Sequence, residues 1–209
     1  MKLLIFGATR GVGAELTRQS LARGHSVHAF ARTASAVAAG ATAVAGDVLD
    51  RAAVESAVRA AAPDAVLLAL GGAGIWSRDF VCSAGTENVL AALKACGLGS
   101  ARIVCCTSMG VGDSAPLIPG FVRWLLKHPL ADKEPQEAGL RASGHPHVIV
   151  RPTGLRDDPA RGRAALAALQ GEKLPTSRIA RADVAAFMLD CLAADDFLNK
   201  TVGISWLTV

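Results

Sequence analysis

The chain of 209 residues contains no tyrosine, and aromatic residues make up only 4% of it. Any mechanism that relies on a tyrosine acid, base or nucleophile is thereby excluded. Long apolar runs are missing too. The N-terminal stretch is apolar only from Leu3 to Phe6 before Gly7 and Arg10 interrupt it, which is too short for a secretory signal. No segment approaches the ~18 apolar residues of a membrane helix, so a soluble, cytoplasmic protein is expected. Basic residues are scattered, and the net charge is only +4. Neither nucleic acid nor membrane is indicated as a partner. The five cysteines (Cys82, Cys96, Cys105, Cys106 and Cys191) show no pairing at zinc spacing, so reduced thiols and no metal are expected. His25, His28, His128, His145 and His147 form no spaced ligand set and read as structural or exposed.

What is abundant is small and apolar: 51% hydrophobic residues, 41 of them alanine, with 21 glycines. Short apolar runs alternate with Ala-rich segments of helical length. The runs at residues 2–6, 26–31, 42–46, 64–70, 102–107, 147–151 and 201–206 read as strands. Helices are expected over 11–23, 50–61 (with Asp50 as N-cap), 79–96, 130–143, 160–170 and 181–192. Strands such as 102–106 are apolar at every position but the first, as a sheet covered on both faces requires. Right-handed strand–helix–strand units give an α/β, doubly wound parallel sheet. One domain over 1–209 is expected, with a small C-terminal cap. Cys105 and Cys106 would then face opposite sides of one strand.

Ligands of such a sheet bind beyond the carboxyl ends of its strands. The first strand is followed there by Gly7-Ala8-Thr9-Arg10-Gly11-Val12-Gly13, which opens the first helix. Gly7 permits a tight turn, Gly11 a close approach of backbone amides to a pyrophosphate, and Gly13 close helix–sheet packing. The loop is therefore expected to hold a dinucleotide. The second strand ends Ala31-Arg32-Thr33 without the acid that would hold a ribose 2′-hydroxyl. Arg32 and Arg10 instead suit a 2′-phosphate, which favours NADP(H) over NAD(H). Asp47-Val48 ends the third strand; Asp47 either holds the adenine amine or caps a turn.

The glycine loop, Gly46-Asp47-Val48, Leu70-Gly71, Thr107-Ser108, Lys133 with Glu137, and Arg151-Pro152-Thr153-Gly154-Leu155 occur in register with the strands. Together they resemble the short-chain dehydrogenase/reductase superfamily, in its atypical, NAD(P)-binding NmrA-like branch. The tail at 178–192 is similar to that of the biliverdin reductase B and NADPH-dependent flavin reductase group. The resemblance implies a Rossmann fold. It places Leu70, Gly71, Gly72, Thr107 and the 152–155 segment along the cofactor, Ser108 beside the nicotinamide, and Lys133 on the nicotinamide ribose. One departure is that the loop spaces its glycines GxxxGxG, as the tyrosine-dependent branch does, and not GxxGxxG. With Lys133 as that branch's lysine, the tyrosine slot four residues earlier holds Pro129.

Without a phenol, alcohol–ketone interconversion and sugar-nucleotide epimerisation lose their proton donor. The stretch after the sixth strand is also short for an epimerase substrate domain. Hydride transfer to a planar, easily protonated acceptor (a flavin, quinone or linear tetrapyrrole) needs orientation and water exclusion more than a positioned acid. The catalytic candidates are Ser108 and Lys133, each with a plain alternative: Ser108 as the start of a turn, Lys133 as a solvated residue. Met109 and Trp124 are the acceptor candidates, Trp124 by stacking or else as core. Trp76 and Trp206 read as packing residues. The alternative function is a catalytically silent NADP-binding redox sensor.

Overall fold

The computed structural model describes residues 1–71, 74, 80–117, 119–162, 165–169, 174 and 178–206, with backbone alone at 115, 116 and 165–169. The chain opens with β1 (Lys2–Phe6), α1 (Gly11–Ala22), β2 (Ser26–Ala31), β3 (Thr42–Ala45), α2 (Arg51–Ala61) and β4 (Ala65–Leu68). It continues through α3 (Val81–Ala95), β5 (Arg102–Cys106), a 3-10 turn (Gly112–Leu117), α4 (Gly120–Leu125), α5 (Lys127–Ala142) and β6 (His147–Pro152). The last part holds β7 (Gly154–Arg156), β8 (Ala165–Leu169), β9 (Arg178–Ala180), α6 (Arg181–Asp190) and β10 (Lys200–Trp206).

The main sheet runs β3-β2-β1-β4-β5-β6-β10-β8. Seven of these strands are parallel, and β8 joins the β10 edge antiparallel, Gly203 facing Ala168. Strand order reverses between β1 and β4, which puts a crevice at their carboxyl ends. Alternate side chains of each central strand enter two separate cores. Leu3, Ile5, Val104 and Cys106 pack under α1 and α6. Leu4, Phe6, Ile103 and Cys105 pack under α2, α3 and α5. The two adjacent cysteines thus point to opposite faces, as the pleat demands.

Local sequence explains the helices. Asp50 caps α2 by accepting from the backbone N–H of Ala52 (2.9 Å) and Ala53 (3.2 Å). Val54, Ala57, Val58 and Ala61 form its buried face at helical spacing. Helix α5 begins at Lys127, earlier than residue 130, because Pro129 lies in the first turn, where a missing N–H costs no helical hydrogen bond.

Two expectations are corrected. Residues 165–169 form a strand where a helix over 160–170 was expected: pairing with the exposed edge of β10 overrides the helix propensity of alanine. The expected strand over 64–70 closes at Leu68, and Ala69 and Leu70 turn toward the glycine loop. A two-stranded parallel sheet, β7–β9, not foreseen from sequence, pairs Gly154 with Arg178. Trp76 and Gly72 lie outside the described residues.

Candidate active site

The glycine loop is shaped by close approaches. Gly7 has φ +78°, and a Cβ there would lie 2.4 Å from the Ala69 carbonyl oxygen. A Cβ on Gly13 would lie 1.9 Å from the Gly7 carbonyl oxygen. No side chain fits either position. Helix α1 thus starts directly against the turn, with its free N–H groups facing the crevice. The Thr17 hydroxyl donates to the carbonyls of Gly13 (2.9 Å) and Ala8 (3.2 Å), tying loop to helix. Thr9 is half-buried, Val12 is buried, and Arg10 is exposed and stands at the N-cap without a side-chain cap bond.

Arg32 is exposed just beyond β2. Asp47 caps a turn, its Oδ1 accepting from the Leu49 N–H at 3.0 Å. The Val48 carbonyl is occupied by the Asn88 side-chain amide at 2.9 Å. Leu70 is buried and its carbonyl accepts from the Cys82 thiol, while Gly71 is exposed.

On the far side of the crevice, β5 and β6 end together. The Thr107 N–H donates to the Val150 carbonyl (2.8 Å), and the Met109 N–H to that of Pro152 (3.0 Å). Met109 is buried. Ser108 is half-buried, and its hydroxyl donates to the Met109 carbonyl at 3.0 Å. Lys133 is not a solvated residue: its Nζ donates to the Cys106 carbonyl at 3.5 Å. Burial works against its ammonium, yet its pKa stays above the usual lysine value, and the Asp132 carboxylate beside it is the charge that favours the cation at neutral pH. Burial pushes the Cys82 thiol itself up to about 11, so it is an inert thiol at neutral pH. The Thr153 N–H donates to the Ile204 carbonyl at 3.1 Å, and its hydroxyl is buried with no partner among the described residues. Gly154 and Leu155 begin β7.

Beneath this wall lies an ionic network that sequence reasoning missed. Glu137 is fully buried and Arg151 is 3% exposed. Arg151 grips both Glu137 oxygens, Nε to Oε1 at 2.9 Å and Nη2 to Oε2 at 2.7 Å. Thr107 donates to Oε1 (2.8 Å), and Arg141 to Oε2 (2.7 Å). Arg151 also reaches Asp113 in the 3-10 turn at 2.7 Å. Burial opposes ionisation of Asp113, yet the Arg151 hydrogen bond and charge hold its carboxyl below the ordinary range. Every charge of the buried pair is hydrogen-bonded, which offsets the cost of removing it from water. Asp132, next to Lys133, caps α3 from outside by accepting from the N–H of Cys82 (2.8 Å) and Ser83 (2.9 Å).

Above the wall is a cavity of about 500 Å³ lined by residues of 110–112, α4 and α5, among them Gly110, Val111, Arg123, Trp124 and Lys127. Trp124 is 58% exposed and stacks on Phe121, with ring centroids 6.3 Å apart, so it is not core.

A glycine cradle that no Cβ can enter, at the start of a helix and beside a strand-order reversal, is the arrangement that holds a dinucleotide pyrophosphate. The model for an NAD(P)H-binding family matches residues 7–195. The chain belongs to this NAD(P)H-binding family. Its solved relatives include ChuY, an anaerobilin reductase from Escherichia coli O157:H7, 27% identical with a TM-score of 0.85 over 99% of this chain and 98% of that one. A short-chain dehydrogenase/reductase from Veillonella parvula DSM 2008 in complex with NADP is 17% identical over 97% of this chain and 93% of that one, TM-score 0.78, and shares the fold. A 3-diazoavenalumate denitrifying reductase from a Streptomyces species is 45% identical over 67 residues, which is 32% of this chain and only 22% of that protein. The residues of this NAD(P)H-binding chain fit the cofactor: backbone alone fills the turn at Gly7 and Gly13, and Thr153, just after β6, has a buried hydroxyl without a partner among the described residues. Among the described residues, no helix is long and apolar enough to cross a membrane.

Proposed function

We propose that the chain is an NADPH-dependent reductase whose acceptor is planar and easily protonated: a flavin, a quinone or a linear tetrapyrrole. The observation that carries this reading is the cavity of about 500 Å³ that begins at Gly110, directly after Thr107-Ser108-Met109, in a protein without tyrosine. The cavity offers an exposed indole and small residues, a surface suited to a flat ring system. The likeness to an anaerobilin reductase over nearly the whole chain favours the tetrapyrrole among the three.

When bound, the reduced nicotinamide supplies the hydride. The backbone of Gly11, Val12 and Gly13 receives the pyrophosphate. Arg10 and Arg32 take the 2′-phosphate: both are exposed, and no acid follows β2 to favour NADH. Leu70, Gly71 and the Asp47-Val48 turn flank the adenosine. Lys133 holds the nicotinamide ribose hydroxyls with the N–H groups left over from Cys106, and adds positive charge that favours the reduced acceptor. Ser108 and Thr153 turn their hydroxyls to the nicotinamide carboxamide or the acceptor, with Pro152, Gly154 and Leu155 lining that face. Thr107 has its hydroxyl committed to Glu137 and contributes backbone only. Met109 packs behind the acceptor and Trp124 stacks on it. The acceptor takes its proton from water.

NADPH oxidation, followed with FMN, menadione and biliverdin, tests the reading. Turnover on at least one acceptor, with NADPH favoured over NADH, is expected. Tight NADPH binding without turnover on any of the three overturns the reductase reading in favour of a redox sensor.

A further inference from the structure

Gly11 is the loop glycine whose open side a pyrophosphate approaches. A side chain from another helix already stands there. A Cβ on Gly11 would lie 3.4 Å from Nε and 3.5 Å from Cδ of Arg181, the first residue of α6. Helix α6 is fastened to α1 at both ends: the Gln19 amide donates to the Ala182 carbonyl at 2.8 Å, and Arg23 pairs with Asp190 at 2.7 Å. The Arg181 side chain is therefore delivered to the loop by a rigid element. Its far end meets an acid, with Nη1 2.6 Å from Asp157 Oδ1. Arg181 is 28% exposed and Asp157 is 87% exposed, so the carboxylate stands in solvent while the guanidinium lies largely against the protein.

We propose that Arg181 binds the cofactor pyrophosphate and that Asp157 occupies the guanidinium until the cofactor arrives. This rests on the nicotinamide-cofactor reading but not on any particular acceptor. A guanidinium prefers a doubly hydrogen-bonding phosphate diester to an exposed carboxylate that pays for its own ordering, so the exchange runs toward the cofactor. The carboxylate then returns to water, and the loop keeps a cation over α1.

Direct titration of the purified chain with NADPH and with NADH, read by quenching of tryptophan fluorescence, tests this. Arg181→Ala is expected to weaken both cofactors by about ten- to a hundredfold and by the same factor, the worth of a charge-assisted contact. Arg181→Lys should recover part of that loss. Asp157→Asn should tighten both by about two- to fivefold, the worth of an exposed ion pair. Should Arg181→Ala fail to fold, the other two variants decide. Unchanged binding in Arg181→Ala or Arg181→Lys overturns the proposal. So does a loss confined to NADPH, which would assign the guanidinium to the 2′-phosphate, and so does weaker binding in Asp157→Asn. A wild-type chain that binds neither cofactor overturns the cofactor reading itself.

Discussion

The two walls of the crevice are built by different physics. The β1–α1 wall is made of backbone: Gly7 and Gly13 sit where any side chain would strike a carbonyl oxygen. Its shape is set by sterics and contains no carboxylate between residues 7 and 13. The opposite wall, where β5 and β6 end, is held by Glu137, Arg151 and Thr107, buried, and by the more exposed Asp113, a charged network that joins α5, β6 and the 3-10 turn. The first wall can be broken only by adding atoms, the second by removing a charge or a proton acceptor. The first is the wall proposed for the cofactor, and the second borders the cavity proposed for the acceptor, which begins at Gly110, three residues before Asp113.

The largest effect on stability is expected from Glu137→Ala. It leaves Arg151, 3% exposed, without its main partner. Breaking a buried pair in this way costs about 3–5 kcal/mol, which urea unfolding would measure. Glu137→Gln keeps the acceptor for Thr107 and should lose less. A loss below ~1 kcal/mol for the alanine variant would mean the network is surface-like.

Gly13→Ala comes next. The overpacked turn should cost about 1–3 kcal/mol, while NADPH binding is lost altogether, because α1 must move away from Gly7. If the variant kept cofactor affinity within about twofold, the loop would not be the pyrophosphate site.

The mildest expected effect is that of Asp113→Asn. Asp113 is 34% exposed, so its bond to Arg151 should be worth about 1 kcal/mol or less. It should raise the acceptor KM several-fold and leave the NADPH dissociation constant unchanged, separating the two walls. A pH signature accompanies it. The Asp113 carboxyl is held below its ordinary range by Arg151. Its stabilising contribution is therefore complete above the ordinary aspartate pKa of about 4 and is lost as pH falls through the lower folded value. Thermal melts between pH 6 and pH 3 should show less acid sensitivity in Asp113→Asn than in the wild type. An unchanged profile would show that the ion pair carries no stability.

The same division decides how much could be read from the sequence. The steric wall was legible in part: Gly7 turns and Gly13 packs closely as their type permits, and Asp50 caps α2. The charged wall was not, because burial of Glu137 and Arg151 depends on α5 packing its polar edge against β6, fourteen positions away in the chain. Lys133 and Ser108 were singled out by resemblance, and the structure sets both near the end of β5. Arg181 left no trace, since only the α6–α1 packing brings it to Gly11. The Ala- and Leu-only stretch at 165–169 has no period to distinguish helix from strand, so the open edge of β10 decided.

Hydride transfer is proposed to run from NADPH across the gap between these walls. Its most direct measurement is an anaerobic single turnover, in which enzyme-bound NADPH is mixed with biliverdin and the loss of reduced-nicotinamide absorbance is recorded. One NADPH should be lost per acceptor reduced, at a rate that falls in Lys133→Ala. NADPH that stays bound and reduced in the presence of the tetrapyrrole, of FMN and of menadione would contradict it.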